Sequence, residues 1–409
     1  MPVETVIIGA GQAGLALSRL LDAAGHRHVV LERGRVGERW RSERWDSLRL
    51  LTPNWLNRLP GATPPAEPDG YLGRLGVIAL LEAYATGAPV REYTTVLRVR
   101  PTPRGYHVAT DRGDWHARNV VIATGDCDVP RMPAAAAEAP PSVHQLHAAR
   151  YRRPGLLPHG GVLVVGAGPS GQQIAAELRR AGRRVVLAVG RHARMPRRYR
   201  GRDVFAWLRD VGQLDTHADA VPDLAAARRA PSFPVSGAFG GESLGLDRLA
   251  RLGVTVTGRL EGFDGRRARF ADDLGTQVRE ADRRLRRALG QIDAHIERTG
   301  AAAAPAEPLS PLSLAAGPAS VEAGSDVRTV LWATGYRRSY PWLDVPVLDR
   351  AGELVHREGF TPARGLYALG LRFQRTRKSH FIGGVGDDAA LIADAILAGA
   401  RDARLPRAA

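Results

Sequence analysis

The chain has 409 residues, which is too long for one ordinary hydrophobic core and predicts two or three domains. A hydrophobic fraction of 44% excludes disorder of the whole chain, and the sequence has no apolar run of the roughly 18 residues that a membrane span needs. The first residues lead into an apolar strand rather than a signal peptide, so we expect a cytoplasmic protein with no membrane partner. Cys127 is the only cysteine, which excludes a disulfide framework, a redox-active cysteine pair and a cysteine-based zinc site.

The net charge of +16 raises the question of a nucleic-acid partner. Lys378 is the only lysine among 58 basic side chains, and the arginines that supply the rest are spread along the chain. Such a distribution is typical of a solvated basic surface, so we expect no nucleic acid as a partner. The densest group of arginines lies in Arg191–Arg202.

The first motif lies near the start of the chain, in VIIGAGQAG (Val6–Gly14). An apolar strand is followed by glycines in the GxGxxG spacing and by apolar residues at helical spacing, which predicts a turn that approaches a pyrophosphate at a helix start. Glu32 stands 23 residues after the first glycine, at the end of a second apolar strand. An acid in that place accepts hydrogen bonds from an unphosphorylated ribose, so the motif predicts a site for FAD.

A second copy, VLVVGAGPSG (Val162–Gly171), has the same strand, turn and helix pattern. The same count of 23 residues reaches Val189 rather than an acid, and Arg191 follows two residues later. Arginine can hold a 2′-phosphate by charge-assisted hydrogen bonds, so this copy predicts a site for NADPH. Arg194, Arg197 and Arg198 are further candidates for the same phosphate, with a solvent-facing loop as the alternative.

A second feature is also duplicated. Asn119–Gly125 (NVVIATG) and Arg328–Gly335 (RTVLWATG) both predict an apolar strand that ends in Ala-Thr-Gly. Each copy follows one glycine motif, so we expect each to close one nucleotide-binding domain.

These motifs together resemble the single-component, FAD- and NADPH-dependent monooxygenases of the flavin-containing, Baeyer–Villiger and N-hydroxylating types. Val36–Pro53 is similar to the segment that brings a tryptophan to the flavin in that family. His147–Tyr151 is similar to the second half of the family's linker signature, and Ala333–Tyr336 to its loop at the domain junction. Gly365–Gly370, with the sequence after it, resembles the C-terminal return of the chain to the flavin.

The resemblance implies an α/β fold with two Rossmann-like dinucleotide-binding domains, in which the NADPH domain is inserted into a discontinuous FAD domain. The expected divisions are residues 1–152 and 330–409 for FAD and 153–329 for NADPH. It also implies a monooxygenase that uses NADPH and O2 to oxygenate a small molecule through a C4a-(hydro)peroxyflavin, as a monomer or homodimer and without a metal. Ala301–Ser325, of low complexity, is expected to be a mobile loop or linker.

Two alternatives remain open. The family's linker signature begins Phe-x-Gly, where this chain has Pro141 and Val143, so an FAD-dependent oxidase or dehydrogenase without oxygen transfer is the second hypothesis. A non-catalytic or nucleic-acid-associated flavoprotein is the third.

The candidate site residues fall into two groups. The candidates for the face of the flavin are Trp40, Leu51, Thr52, Asn54 and His380, with Arg377, Lys378 and Ser379 beside them. The expected cofactor-binding residues are Gly9, Gly11, Gln12, Ala13, Gly14, Glu32, Arg33, Arg39, Trp40, Val96, Ala123, Thr124, Gly125, Gly166, Gly168, Pro169, Ser170, Gly171, Gln172, Arg191, Ala333, Thr334, Gly335, Tyr336 and Gly370.

Overall fold

The structure is a computed structural model that describes residues 1–308, 311–315 and 317–402. The strands, in chain order, are β1 Pro2–Ile8, β2 His28–Leu31, β3 Val90–Arg91, β4 Val96–Thr102, β5 Gly105–Thr110, β6 Trp115–Ile122, β7 Val129–Pro130, β8 His144–His147, β9 Gly161–Val165, β10 Val185–Ala188, β11 Arg198–Tyr199, β12 Arg202–Asp203, β13 Thr255–Thr257, β14 Leu260–Asp264, β15 Arg267–Phe270, β16 Ser320–Glu322, β17 Val327–Trp332, β18 Tyr336–Arg337 and β19 Leu366–Ala368. The α-helices are α1 Gln12–Ala23, α2 Glu38–Ser42, α3 Arg74–Tyr84, α4 Ala135–Glu138, α5 Pro169–Arg180, α6 Val204–Asp210, α7 Leu224–Arg229, α8 Leu246–Arg251, α9 Leu274–Thr299 and α10 Val385–Asp402. Within these described ranges, none of the helices has the length and apolar character needed to cross a membrane.

The first sheet has the strand order β3-β2-β1-β6-β5-β4, with β19 paired to β6. Its centre is parallel: Ile7 of β1 lies opposite Val30 of β2 on one side and Val121 of β6 on the other. These strands are rich in Val and Ile and are buried on both faces, as is typical of parallel strands covered by helices. Strands β4 and β5 extend the sheet as an antiparallel hairpin.

The second sheet is parallel throughout and has the order β13-β10-β9-β17-β8. A smaller antiparallel sheet, β14-β15-β16, lies next in the chain. The turn between β14 and β15 at Asp264 and Gly265 was expected from the sequence and is confirmed. Strand β16 was not expected, because it lies inside Ala301–Ser325, the segment predicted to be a mobile loop.

Apolar helix faces cover both large sheets. Leu17 of α1, Leu81 of α3 and Ile392 of α10 are fully buried together on the first sheet. Helices α5 and α8 cover the second sheet in the same way. Removal of these side chains from water supplies the main favourable free energy of such cores, about 25 cal/mol per Å² of apolar surface. In α9 the predicted core positions are confirmed as buried, namely Leu285, Leu289, Ile292 and Ile296.

The α/β fold class is confirmed. The second sheet draws strands from outside the segment expected to form it, because β8 precedes residue 153 and β17 spans the expected division at 329/330. The extent of the second sheet therefore depends on pairing between strands that are distant in the sequence. The division into three segments itself remains a prediction.

Candidate functional site

The two glycine motifs form turns of the same geometry. Gly9 has φ +109° and Gly166 has φ +110°, a conformation that residues with a Cβ rarely adopt. A Cβ at Gly9 would lie 2.6 Å from the carbonyl oxygen of Ala123, and a Cβ at Gly166 would lie 2.6 Å from that of Ala333. Each Ala-Thr-Gly segment therefore packs against the first glycine of its own motif, which explains why both features are duplicated.

The remaining glycines of each motif have two different tasks. A Cβ at Gly14 or Gly171 would lie 1.9 or 1.8 Å from the carbonyl oxygen of the first glycine, so these positions hold helix and strand in close contact. Gly11 and Gly168 precede the first residues of α1 and α5, and a Cβ there would meet no atom within 4 Å. The free N–H groups at these helix starts are thus accessible to an anion.

Both helix starts open into one cavity of about 1600 Å³. Gln12 and Ala13 of α1 line it, as do Pro169, Ser170 and Gln173 of α5. Single-ligand pockets typically have about 300–1,000 Å³, so this cavity has room for more than one ligand.

The cavity brings together most of the predicted site residues. Those that line it are Gly9, Gly11, Gln12, Ala13, Glu32, Arg33, Arg39, Trp40, Leu51, Thr52, Val96, Ala123, Thr124, Gly125, Pro169, Ser170, Gly370 and His380. Those that do not line it are Gly14, Asn54, Gly166, Gly168, Gly171, Gln172, Arg191, Ala333, Thr334, Gly335 and Tyr336.

The carboxylate of Glu32 is fixed by two backbone groups. One oxygen accepts a hydrogen bond from Ala10 N at 2.9 Å, and the other accepts one from Gly34 N at 3.0 Å. A carboxylate has about four acceptor positions, so two remain for a ligand that enters the cavity.

A group of aromatic and cationic side chains lies beside the second Ala-Thr-Gly segment. The Arg44 guanidinium lies between the rings of Trp40 and Tyr336, at 5.6 and 5.5 Å from their centroids, and donates to the Tyr336 hydroxyl at 3.2 Å. The Tyr336 ring packs edge-on against His147 at 5.0 Å. His147 Nδ1 accepts from Ala149 N, so its Nε2 carries the hydrogen that is donated to Gly335 O, and burial lowers the pKa of this histidine.

Arg33 and Arg39, the two arginines predicted to bind the cofactor of the first motif, both form ion pairs with Asp128. Arg39 forms ion pairs with Asp128 and with Glu43, and Arg33 reaches the same Asp128 at 3.2 Å. The neighbouring Cys127 lines the cavity, and burial raises the pKa of its thiol. This thiol is therefore held in the protonated, weakly nucleophilic form.

Asn54 and Thr52 have local partners. The Asn54 amide donates to Ala66 O and Glu67 O, both at 3.1 Å, and its oxygen accepts from Leu72 N at 2.9 Å. Asn54 thus braces a loop behind the cavity rather than facing a ligand. Thr52 lines the cavity and donates its hydroxyl to Asn57 Oδ1 at 2.7 Å.

The arginines of the second motif separate into exposed and buried groups. Arg191 is exposed outside the cavity and donates to Arg229 O. Arg197, a candidate for phosphate binding, is 1% exposed and forms an ion pair with Asp203. Its charge is therefore neutralised by an acid inside the protein. Arg194 lines the cavity and is paired with Asp282 at 2.6 Å.

The segment after Gly370 returns the chain to the cavity. His380 lines it, and its Nδ1 has no hydrogen-bond partner among the described residues. Burial lowers the pKa of this histidine to about 4. Lys378 does not line the cavity and forms ion pairs with Asp215 and Asp387. The Ser379 hydroxyl oxygen accepts hydrogen bonds from two backbone N–H groups. Arg377 lines the cavity without an acidic partner among the described residues.

Sequence reasoning missed one wall of the cavity. Helix α9 was interpreted as core packing alone, yet a second stripe of its surface lines the cavity. The residues of this stripe are Arg284, Arg287, Ala288, Gln291, Ala294, His295 and Arg298. These residues recur at i, i+3, i+4 and i+7, a helical pattern that could have been found in the sequence.

Comparison with known proteins identifies the family. Residues 6–211 match the family described as pyridine nucleotide-disulphide oxidoreductase. An "uncharacterized oxidoreductase CzcO-like" of Geobacillus kaustophilus is 33% identical over 401 residues, which cover 97% of this chain and 98% of the relative. The chain therefore belongs to the pyridine nucleotide-disulphide oxidoreductase family.

Solved structures agree with the fold. A flavin-containing monooxygenase from Stenotrophomonas maltophilia aligns with a TM-score of 0.66 at 21% identity, over 98% of this chain and 99% of that protein. OTEMO, solved in a complex with FAD and NADP, aligns with a TM-score of 0.57 at 15% identity, over 98% of this chain and 86% of that protein. The chain thus shares the fold of these two solved proteins. The family match and the relative from Geobacillus kaustophilus confirm the predicted class of oxidoreductase.

Proposed function

We propose that this protein is an FAD-dependent monooxygenase that consumes NADPH and O2 and oxygenates a small molecule. The observation that carries the proposal is that two helix starts, each preceded by its own glycine turn, open into one cavity. Two dinucleotides held at these turns would meet inside the cavity, as hydride transfer between them requires.

The residues present fit an FAD at the first turn. The open space beside Gly11 leaves room for a pyrophosphate against the start of α1. The two unused acceptor positions of Glu32 suit the hydroxyl groups of a ribose. Gly370 approaches Ala13 so closely that a Cβ would lie 2.7 Å from the alanine methyl, which keeps this end of the cavity narrow.

The second turn suits NADPH. The space beside Gly168 is open in the same way, and Val189 follows β10 where the first motif has its acid. Among the described residues the Arg191 guanidinium makes one hydrogen bond, to the backbone oxygen of Arg229, so this exposed group can turn toward a 2′-phosphate. The proposed arrangement is an NADPH domain inserted into a discontinuous FAD domain, and the strand pairing favours limits near residues 144 and 332 for the insert.

A bound flavin would supply hydride acceptance from NADPH and activation of O2. The protein's part is to bind both cofactors, orient them and keep water out. Phe205, Leu208, Val211 and Phe381 give one side of the cavity an apolar lining that serves the last purpose.

The stoichiometry of NADPH, O2 and hydrogen peroxide tests the proposal. With a substrate present, the holoenzyme should consume NADPH and O2 in equal amounts and release less peroxide than without it. Peroxide equal to the NADPH consumed, with every candidate substrate, would favour the oxidase hypothesis instead. A protein that takes up no FAD would contradict both.

A further inference from the structure

The guanidinium of Arg377 has no anionic partner in the part of the chain that the structure describes. It lines the cavity, and among the described residues it forms neither an ion pair nor a side-chain hydrogen bond. Its Nε is buried without a partner. The guanidinium lies over the Phe373 ring, at 5.0 Å from the centroid. A buried donor without an acceptor costs free energy, so such a group is expected to have a partner in the functional state.

The charged neighbours of Arg377 do not supply that partner. Burial lowers the pKa of Arg377, and the positive charge of Arg372 lowers it further. Arg372 donates to Ala230 O and leaves its own Nε without a partner. Asp126, the acid that acts on Arg372, is paired with Arg338 at 2.5 Å. The region is therefore short of negative charge.

Aromatic side chains line the same cavity as Arg377. Phe381 packs edge-on against Phe205 with centroids 6.1 Å apart, and Phe233 belongs to the same apolar cluster. We name Phe205, Phe233, Phe373, Arg377 and Phe381 the Arg377 pocket. Small-molecule sites typically combine such an apolar lining with a few polar groups that fix the orientation of the ligand.

We propose that the Arg377 pocket binds a small substrate with an apolar body and a carboxylate group, and that Arg377 holds the carboxylate. The planar guanidinium matches a carboxylate with two parallel hydrogen bonds, which would satisfy the buried Nε or its neighbours. The role of this ligand as a substrate rests on the function proposed above, whereas its binding does not. A phosphate of a cofactor is the competing partner for Arg377.

Calorimetric titration of the FAD-loaded protein with phenylacetate and phenylacetamide tests this proposal. The two probes share the apolar body and differ in the carboxylate. We expect phenylacetate to bind at least about tenfold more tightly. In R377M, phenylacetate should lose about tenfold to a hundredfold in affinity while phenylacetamide is unchanged, and R377K should retain part of the affinity. R286M is the matched control, because Arg286 is an exposed arginine of α9 outside the cavity.

The proposal is overturned if the wild-type protein binds neither probe or binds both equally. It is also overturned if R377M or R377K weakens NADP+ or FAD binding and leaves phenylacetate binding intact, since Arg377 would then hold a cofactor phosphate. FAD content and circular dichroism establish that each variant is folded. If R377M does not fold, R377K takes its place in the comparison of the two probes. Because the assay needs no oxygen transfer, it can succeed or fail independently of the monooxygenase proposal.

Discussion

Glu32 and Ala10 are joined by a hydrogen bond of 2.9 Å in which the backbone N–H of Ala10 donates to the Glu32 carboxylate. Ala10 lies inside the first glycine turn, and Glu32 follows β2. The bond therefore ties the end of the second strand to the turn that follows the first. It places a carboxylate at the wall of the cavity, beside the start of α1.

We predict that E32Q lowers the affinity for FAD by about tenfold to a hundredfold. Two backbone N–H groups point at the two carboxylate oxygens, and an amide can accept from only one of them. The other N–H would face an NH2 group. Fluorescence titration of the apoprotein with FAD measures the effect, and E261Q, at an exposed position of β14, is the control. Unchanged affinity in E32Q would refute the assigned role.

G171A should abolish reduction of the bound flavin by NADPH while FAD remains bound. The added Cβ would lie 1.8 Å from Gly166 O, so the second turn must distort, at a cost of about 1–3 kcal/mol of stability. G14A distorts the first turn in the same way and should prevent FAD binding instead. Anaerobic absorption spectra distinguish the two effects.

G290A is the control for G171A and G14A. Gly290 lies within α9, where an added Cβ meets no atom within 4 Å. Alanine at this position should raise the melting temperature, because it favours the helix by about 0.5–1 kcal/mol over glycine. If G171A and G290A behave alike, the contact between helix and turn has no special role.

R191A should reduce the preference for NADPH over NADH by about tenfold to a hundredfold, through loss of a charge-assisted contact to the 2′-phosphate. The ratio of kcat/KM for the two nucleotides is the measurement. The rate with NADH should stay the same, since that nucleotide lacks the phosphate. A preference that persists in R191A and falls in R194A would move the phosphate site to Arg194 inside the cavity.

The protein should lose stability as the pH falls from about 6.5 to about 4. Burial, with the cations Arg228 and Arg338 nearby, lowers the pKa of His356 to about 4. In this window the unfolded chain binds a proton that the folded protein does not, so the free energy of unfolding decreases with falling pH. The contribution of His356 is on the order of 3 kcal/mol at most. His380 acts in the same direction.

Urea unfolding at two pH values tests this expectation. The free energy of unfolding of the wild-type protein should fall between pH about 7.5 and about 5, and H356Q should show a smaller fall. An equal fall in H356Q would mean that other groups carry the pH dependence.

The parts that sequence could predict are those fixed by local backbone geometry. The glycine turns, Glu32 and the Ala-Thr-Gly segments follow from the limits on φ and from close approaches that a Cβ would block. The turn of β14 and β15 and the buried face of α9 follow from turn chemistry and helical periodicity.

The parts that could not be predicted depend on partners distant in sequence. Asn54 was expected at the flavin. Its side-chain amide instead makes three hydrogen bonds to the backbone of residues 66–72, which leaves one lone pair of the amide oxygen unused. Arg197 was a candidate for phosphate binding, and tertiary packing places it beside Asp203 instead. The short edge strand β16 forms in a segment without local strand preference because β15 pairs with it.

Incorporation of oxygen from 18O2 separates a monooxygenase from an oxidase. The holoenzyme is incubated with NADPH, 18O2 and a panel of small nucleophilic and carbonyl compounds, and the products are analysed by mass spectrometry. We expect a product that carries one 18O atom and that forms only when NADPH is present. NADPH consumption with all reducing equivalents recovered as hydrogen peroxide, and no labelled product from any compound, would contradict this expectation.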